Sequence, residues 1–531
     1  MKSSVPSRPA ALRSETVLSL ACCLVVGVYG LMIDLKGISN DEAFRLYIMN
    51  GGLGYGLNAP AAYSSWRGVL DAISPYAYQP LYFLLHNTVM SVAHRHNLVL
   101  LRLVNIFFLW VSLQGLIALS SSWRLVPRLF LLGVFSCNAY LLMHVLEIRE
   151  YIVSIAFYIW SSWLVLRLDE GTRRETGPRL PWFLAYGVVL ALGFYTSTWA
   201  VFPAFGQFLF LLVPRPGRKW RFYAQLALSY VIVLAASAPY LRQHPQKINI
   251  GRWGSETAGL WPQLSTGFHL VLSGNEPGVS GFSDFLCWFW LLLLAAAAVL
   301  LVGKKFTGTA SGPSPVILHQ GGLAGLCLLV AVAFQVGYYY KVDDLSLAAR
   351  YFALHYFFLT WLVALAFNYL YDLGGAAEIP SGLSRGLRVA IGAILAVLAT
   401  SAVCQPRMYY LNPYYDMFMT PGEDWRKLAA GLAPILVPSD TVVTRNFIHG
   451  SALNFTWPIA NRVVPLPDLP AAAPGVTGRL VYLETGAVRS TRPALLSQLR
   501  ALGFSTWHET ALPSADGKVE IPGWRILVFT R

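Results

Sequence analysis

Three groups of ionisable residues stand out because each sits beside a long apolar run. The first is Ser39-Asn40-Asp41-Glu42-Ala43-Phe44. Adjacent carboxylates next to hydrocarbon carry a desolvation cost. That surrounding also raises a carboxyl pKa and turns the group into a usable general base. The plainer reading is a helix cap or a solvated loop start, since Asn40 and Asp41 cap well. The second group is Glu147-Ile148-Arg149-Glu150-Tyr151, a charged triplet between two apolar runs. Its plainer reading is a turn with a local ion pair. The third is Lys341-Val342-Asp343-Asp344, followed by Arg350-Tyr351. A phosphate would explain these cations, because arginine binds phosphate oxygens in a bidentate fork. Ordinary snorkelling at a helix end is the plainer account.

The elements that must position these groups are membrane helices. Of 531 residues, 56% are apolar and 12% charged, and the mean hydropathy is +0.52. Soluble domains carry about 25% charged residues. The apolar residues fall in blocks long enough to cross a hydrocarbon core, which takes about 20 helical residues. We expect spans near 15–35, 98–120, 128–146, 151–167, 181–198, 199–214, 221–240, 283–302, 317–338, 350–371 and 387–404. The shorter run 79–93 reads as a helix lying along the interface. The block after Ser14 has no small-residue cleavage site behind it, so it reads as an uncleaved first helix.

Sidedness follows from where the cations fall. The basic excess (40 Lys and Arg against 26 acids) lies in short clusters between apolar blocks, which is a topology signal and not a nucleic-acid surface. With the N-terminus in the cytoplasm, Arg124 and Arg128, then Arg173 and Arg174, Arg218 and Lys219, Lys304 and Lys305, and Arg385 and Arg388 all fall on the cytoplasmic side. The opposite side receives the loops 36–97, 241–282 and 338–350, the Glu147–Tyr151 stretch and the tail. The loop 241–282, with Trp253, Trp261 and His269, reads as a cover over a cavity or as an ordered connector. In the tail, Asp440–Phe447, Arg479–Thr485 and Trp524–Thr530 read as strands and Arg492–Leu502 as a helix. The fold class is therefore an α-helical polytopic membrane protein of about 11 spans (1–404) with a small extracytoplasmic α/β domain (405–531). The six cysteines suggest neither a metal site nor a disulfide framework.

The order of these features resembles the GT-C superfamily of membrane glycosyltransferases. The branch is that of protein O-mannosyltransferases, aminoarabinose transferases and similar bacterial lipopolysaccharide-sugar transferases. Asp41-Glu42 stands where that family has its acidic motif. Gln79-Pro80-Leu81-Tyr82-Phe83 resembles the family's Pro-Pro-Leu-Tyr-Tyr helix, and Leu101-Arg102-Leu103 its Leu-Arg-Leu. Glu147–Tyr151 looks like Gln-Glu-Ala-Arg-x-Tyr, while Gly193-Phe194-Tyr195-Thr196 and Ala349-Arg350-Tyr351 also have counterparts. One departure is Tyr78-Gln79-Pro80, where the family often has His-Pro-Pro, so no histidine role carries over.

The resemblance implies inverting transfer of a sugar from a polyprenyl-phosphate donor to an acceptor hydroxyl on a glycan, lipid or protein, at the extracytoplasmic face. Asp41 would be the general base, with Glu42 beside it. Glu147 or Glu150 would position the acceptor or sugar, Glu147 being counted with the catalytic set. Arg149, Lys341 and Arg350 would hold the donor phosphate, and Tyr82, Tyr151 and Tyr351 complete the substrate-binding residues. No cofactor is implied, although Asp41 and Glu42 have the chemistry to ligate a divalent metal. The partners are the lipid-linked donor, the acceptor and membrane lipids, with no nucleic acid. The expected location is a bacterial inner or plasma membrane. The rival class is a lipid or solute transporter, or flippase. Such proteins place functional charges midway along their spans and show repeat symmetry; here the charges gather at helix ends.

Overall fold

The computed structural model describes residues 8–33, 40–49, 65–73, 79–93, 98–173, 180–215, 218–243, 259–307, 315–341, 352–374, 381–411, 425–444, 453, 461–485, 492–513 and 520–530. Arg350 and Tyr351 lie outside the described residues, as do the side chains of Asp41 and Lys341. Trp253 is outside them too.

The apolar blocks of the sequence become helices because a chain in hydrocarbon must satisfy its own backbone hydrogen bonds. In order they are α1 (Arg8–Met32), α2 (Asn40–Met49), α3 (Trp66–Ile73), α4 (Pro80–Ala93), α5 (Leu98–Leu119), α6 (Leu125–Ser136), α7 (Ala139–Leu146) and α8 (Tyr151–Arg173). There follow α9 (Leu180–Thr196), α10 (Val201–Leu212), α11 (Trp220–Gln243), α12 (Leu260–Ser273) and α13 (Gly281–Thr307). The series closes with α14 (Pro315–Lys341), α15 (Ala353–Gly374) and α16 (Ser381–Leu411). Among the described residues, eight helices are long and apolar enough to span a bilayer, or nine when α6 and α7, bent by 65°, count as one. The remaining two expected spans are α9 and α10, apolar but shorter, at 17 and 12 residues. α4, with 14 residues, extends only about 21 Å at 1.5 Å per residue, short of a roughly 30 Å core. α16 continues to Leu411, past the expected start of the tail at 405.

Burial orders the bundle. In α15, 94% of the most apolar stretch is covered by protein, against 17% in α1 and 11% in α16. α15 is thus the central helix, with α1 and α16 at the lipid-facing edge. Close crossings use small residues, as membrane interfaces generally do. A Cβ on Gly206 of α10 would lie 2.7 Å from the Cys327 Cα of α14. At one end of the bundle the buried Asp169 of α8 ties together the α10–α11 joint and α14. It accepts hydrogen bonds from Arg215 (2.7 Å) and Arg218, and lies 2.6 Å from His319 Nε2.

The tail forms a five-stranded mixed sheet of order β2-β1-β3-β5-β4. Its strands are β1 (Thr441–Thr444), β2 (Arg462–Pro465), β3 (Leu480–Thr485), β4 (Thr506–Pro513) and β5 (Glu520–Thr530). β1 pairs parallel with β2 and β3, whereas β5 runs antiparallel between β3 and β4. β1, β3 and β5 and the helix Arg492–Ala501 match the sequence expectation; β2 and β4 are additional. All six cysteines are free thiols.

Candidate functional site

Three places carry the charges of the site: α2, the joint between α7 and α8 at residues 147–150, and Arg102 of α5. The joint exists because Glu147 ends α7 in an extended conformation (φ −105°, ψ 150°), and α8 restarts at Tyr151. α7 itself starts at a side-chain cap, Asn138 Oδ1 accepting from the Tyr140 amide at 2.8 Å. Its first amide, from Ala139, donates to Gln405 Oε1 of α16 at 2.8 Å. The Gln405 amide in turn donates to the Ser273 carbonyl at the end of α12 (2.7 Å). Gly274, the left-handed residue that ends α12 (φ +78°), leaves room for this bond; a Cβ there would lie 2.3 Å from Gln405 Oε1. α12, inside the expected loop 241–282, is thus an ordered, half-buried connector.

The centre of the site is a fully buried ion pair. Glu42 of α2 accepts from Arg102 Nε and Nη2 of α5 at 3.0–3.1 Å. Its Oε1 also takes the Ile148 amide of the joint at 2.8 Å. The third arm of Arg102, Nη1, donates to the Ile33 carbonyl just past α1 (2.9 Å). One guanidinium and one carboxylate therefore tie α1, α2, α5 and the α7–α8 joint together. A second pair repeats the link from α2 to the joint: Arg45 Nε donates to Glu150 Oε2 (3.1 Å) and Nη2 to Oε1 (3.3 Å). The third pair is internal to the joint, Arg149 Nε lying 2.7 Å from Glu147 Oε2.

A layer of neutral groups supports these charges. Asn105 of α5 donates its amide to the Glu147 carbonyl and accepts from the Tyr82 hydroxyl (3.3 Å). Asn87 of α4 donates to the Met49 carbonyl at the end of α2 (2.9 Å). The His86 ring lies between the carbonyls of Tyr82 (2.9 Å) and Leu101 (3.2 Å), fixing α4 on α5. Tyr409, near the end of α16, is buried.

The structure thus brings together Glu42, Glu147, Arg149, Glu150 and Tyr82. Tyr151 stands at the edge of the cluster, its ring against His144 (centroids 4.6 Å apart). It lines a narrow crevice of about 10 Å³ with Ser154, Ser197, Trp199 and Leu354, room for about one water. Asp41 is a first-turn residue of α2, next in sequence to the buried Glu42. Lys341 ends α14. Sequence reasoning gave Arg102 a place in a motif but no task, and it missed Arg45 and Asn105. The signal was present: an arginine in a 22-residue apolar helix demands a partner. Among the described residues no three His, Cys, Asp or Glu side chains gather as a metal site.

The six described charges cancel in three pairs, so the carboxylates of Glu42, Glu147 and Glu150 are all engaged with guanidinium groups. Such a cluster is a rigid electrostatic frame, stable in low dielectric only because every member is paired. It can orient whatever binds beside it and resist reorganisation as charge moves.

No family model matches the sequence, nor does that of any curated protein. Solved structures do match. ArnT from Cupriavidus metallidurans in the apo state aligns over 98% of this chain and 98% of its own, with 14% identity and a TM-score of 0.55. The same protein bound to undecaprenyl phosphate aligns over 97% and 98%, with 11% identity and a TM-score of 0.54. An Archaeoglobus fulgidus oligosaccharyltransferase in the apo form covers 96% of this chain at 11% identity, but its TM-score of 0.46 is too low to weigh. The agreement with ArnT runs from the first helix to the last strand, and with it the chain has the fold of the GT-C membrane glycosyltransferases.

Proposed function

We propose that the protein transfers a sugar from a polyprenyl-phosphate donor to an acceptor hydroxyl at the extracytoplasmic membrane face. The observation that carries this reading is the whole-length likeness to ArnT, a GT-C glycosyltransferase whose structure holds undecaprenyl phosphate. The paired charges around Glu42 and the α7–α8 joint support it, since they lie where the sequence places the acidic motif.

In the proposed reaction the acceptor oxygen attacks the anomeric carbon from the side opposite the phosphate. One carbon–oxygen bond forms, the bond to the phosphate breaks, and the configuration inverts. Asp41 takes the proton of the attacking hydroxyl. Glu42, whose oxygens are engaged by Arg102 and the Ile148 amide, acts as a positioning residue that fixes α2 and so aims Asp41. Arg149, Lys341 and Arg350 hold the departing phosphate, on which negative charge grows. Glu147, Glu150 and the rings of Tyr82, Tyr151 and Tyr351 shape the space for sugar and acceptor. Transfer is proposed to need no metal ion, the cations being supplied by side chains.

The test is a transfer assay with a radiolabelled polyprenyl-phosphate sugar. Asp41→Asn is expected to lower kcat by about 10² or more, the usual contribution of a general base, with donor binding retained. Wild-type rates in Asp41→Asn would sink the assignment. Donor binding without any transfer by the native protein would turn the reading towards a transporter. Exhaustive chelation should leave the rate unchanged; loss of activity restored by a divalent cation would contradict the metal-free mechanism.

A further inference from the structure

The 65° bend between α6 and α7 lies one short helix away from the charged joint. A bend of this size frees backbone groups from the helical ladder, and in an apolar bundle each needs another partner. Three carbonyls at the end of α6 accept hydroxyls from three different helices. Phe135 takes Tyr356 of α15, Ser136 takes Tyr29 of α1 (2.7 Å), and Cys137 takes Ser401 of α16 (3.3 Å). The first two amides of α7, from Ala139 and Tyr140, donate to the carboxamide oxygens of Gln405 and Asn138, at 2.8 Å each.

The same two carboxamides also reach the other way. Asn138 Nδ2 donates to the Val271 carbonyl (2.9 Å) and Gln405 Nε2 to the Ser273 carbonyl (2.7 Å), both in the last turn of α12. Carbonyls that end one helix and amides that start another are thus joined through two buried side chains. The end of α12 is itself pinned to α13, His269 Nε2 lying 3.0 Å from Asp284 Oδ1. From this clasp α7 runs for eight residues, all of them buried, or about 12 Å at 1.5 Å per residue. At its far end Glu147 opens the joint whose Ile148 amide holds Glu42. A short rod packed on every side carries a tilt at the clasp straight to the joint.

We propose that Asn138 and Gln405 are positioning residues for sugar transfer: their clasp sets the direction of α7 and thereby places Glu147, Arg149 and Glu150 against the substrates. This role rests on the transferase reading. Starting α7 needs only a cap, and serine or aspartate at position 138 would supply one. Two carboxamides, each with an acceptor for α7 and a donor for α12, do more than cap. They make the connector α12 part of the frame of the site, so that it governs the alignment of charges that lie on other elements. Alignment matters because a misplacement of about 1 Å costs up to about 10²-fold in rate.

The experiment compares Asn138→Ser with Asn138→Ala in the full chain, purified in detergent. Serine keeps an oxygen for the Tyr140 amide and caps about as well as asparagine, but it lacks the amide that reaches Val271. Alanine loses both bonds. Asn138→Ser should melt no more than about 4 °C below the native chain. Its kcat at saturating donor and acceptor should nevertheless fall about tenfold, with KM changed less than kcat. Hydrogen–deuterium exchange of the Ile148 and Arg149 amides should quicken about tenfold. Gln405→Met, which keeps the side-chain length and loses both bonds, should show the same fall in kcat. An active native chain whose Asn138→Ser variant turns over at the native rate overturns the proposal, as does unchanged exchange at the joint. A fall in kcat confined to Asn138→Ala reduces Asn138 to a plain cap and overturns it too. A native chain that transfers no sugar at all overturns the transferase reading instead, and the positioning role falls with it.

Discussion

A carboxylate that accepts a forked guanidinium and a backbone amide has little capacity left for a proton in flight. Glu42 is such a group, and Arg102 is its obligate partner. Removing one member of a buried pair leaves the other charged in low dielectric, at a cost of about 3–5 kcal/mol. Arg102→Met should therefore lower the melting temperature of the detergent-purified chain sharply, with loss of activity following from loss of fold. The double variant Arg102→Met/Glu42→Gln should recover most of that stability, because no ion is then stranded. A double variant no more stable than Arg102→Met would show that the pair is not the main link. The sequence announced Glu42 as chemistry and left Arg102 inside a motif. The difference was legible only once the two met across 60 positions, and a linear pattern does not report that distance.

The helices were the most legible elements, because their apolar length is dictated by the bilayer and not by tertiary detail. Their joints were less so. The α6–α7 bend and the α7–α8 break depend on Asn138, on Gln405 reaching across from α16, and on the left-handed Gly274. Asn138 caps locally, but Gln405 and Gly274 are single residues whose task is set by partners more than 130 positions away. Gly274→Ala should destabilise the chain by more than about 1 kcal/mol, because it adds a left-handed strain to a clash with Gln405. Gln405→Ala in the same chain should relieve the contact with Gln405 but leave the backbone strain and the close approach to Ala139, so thermal melting should show partial rescue only. Full rescue would place the whole effect in the side-chain contact. In the tail, β2 was missed because four residues ending in proline make a weak signal, and β4 because Trp507-His508-Glu509 reads as polar loop when its neighbour β5 is not in view.

At the scale of the molecule, charge sorting along the sequence gave an orientation that the fold alone does not supply. If it holds, a single cysteine at Glu509 in the tail should react with an impermeant thiol reagent in intact cells, and one at Arg388 only after permeabilisation. The reverse labelling would invert the topology and move the charge cluster to the cytoplasmic face. Arg102 also bears on how the chain is made. Glu42 leaves the ribosome 60 residues before Arg102, and Ile148 follows 46 residues later. The guanidinium thus enters the translocon with its carboxylate already in place, and the amide of the joint closes the cluster when α8 arrives. Acid-before-base order spares the nascent protein a stranded cation in the bilayer. A chain with Glu42 and Arg102 exchanged would keep the same final pair yet present its lone arginine first, and its insertion should be slower and its turnover faster.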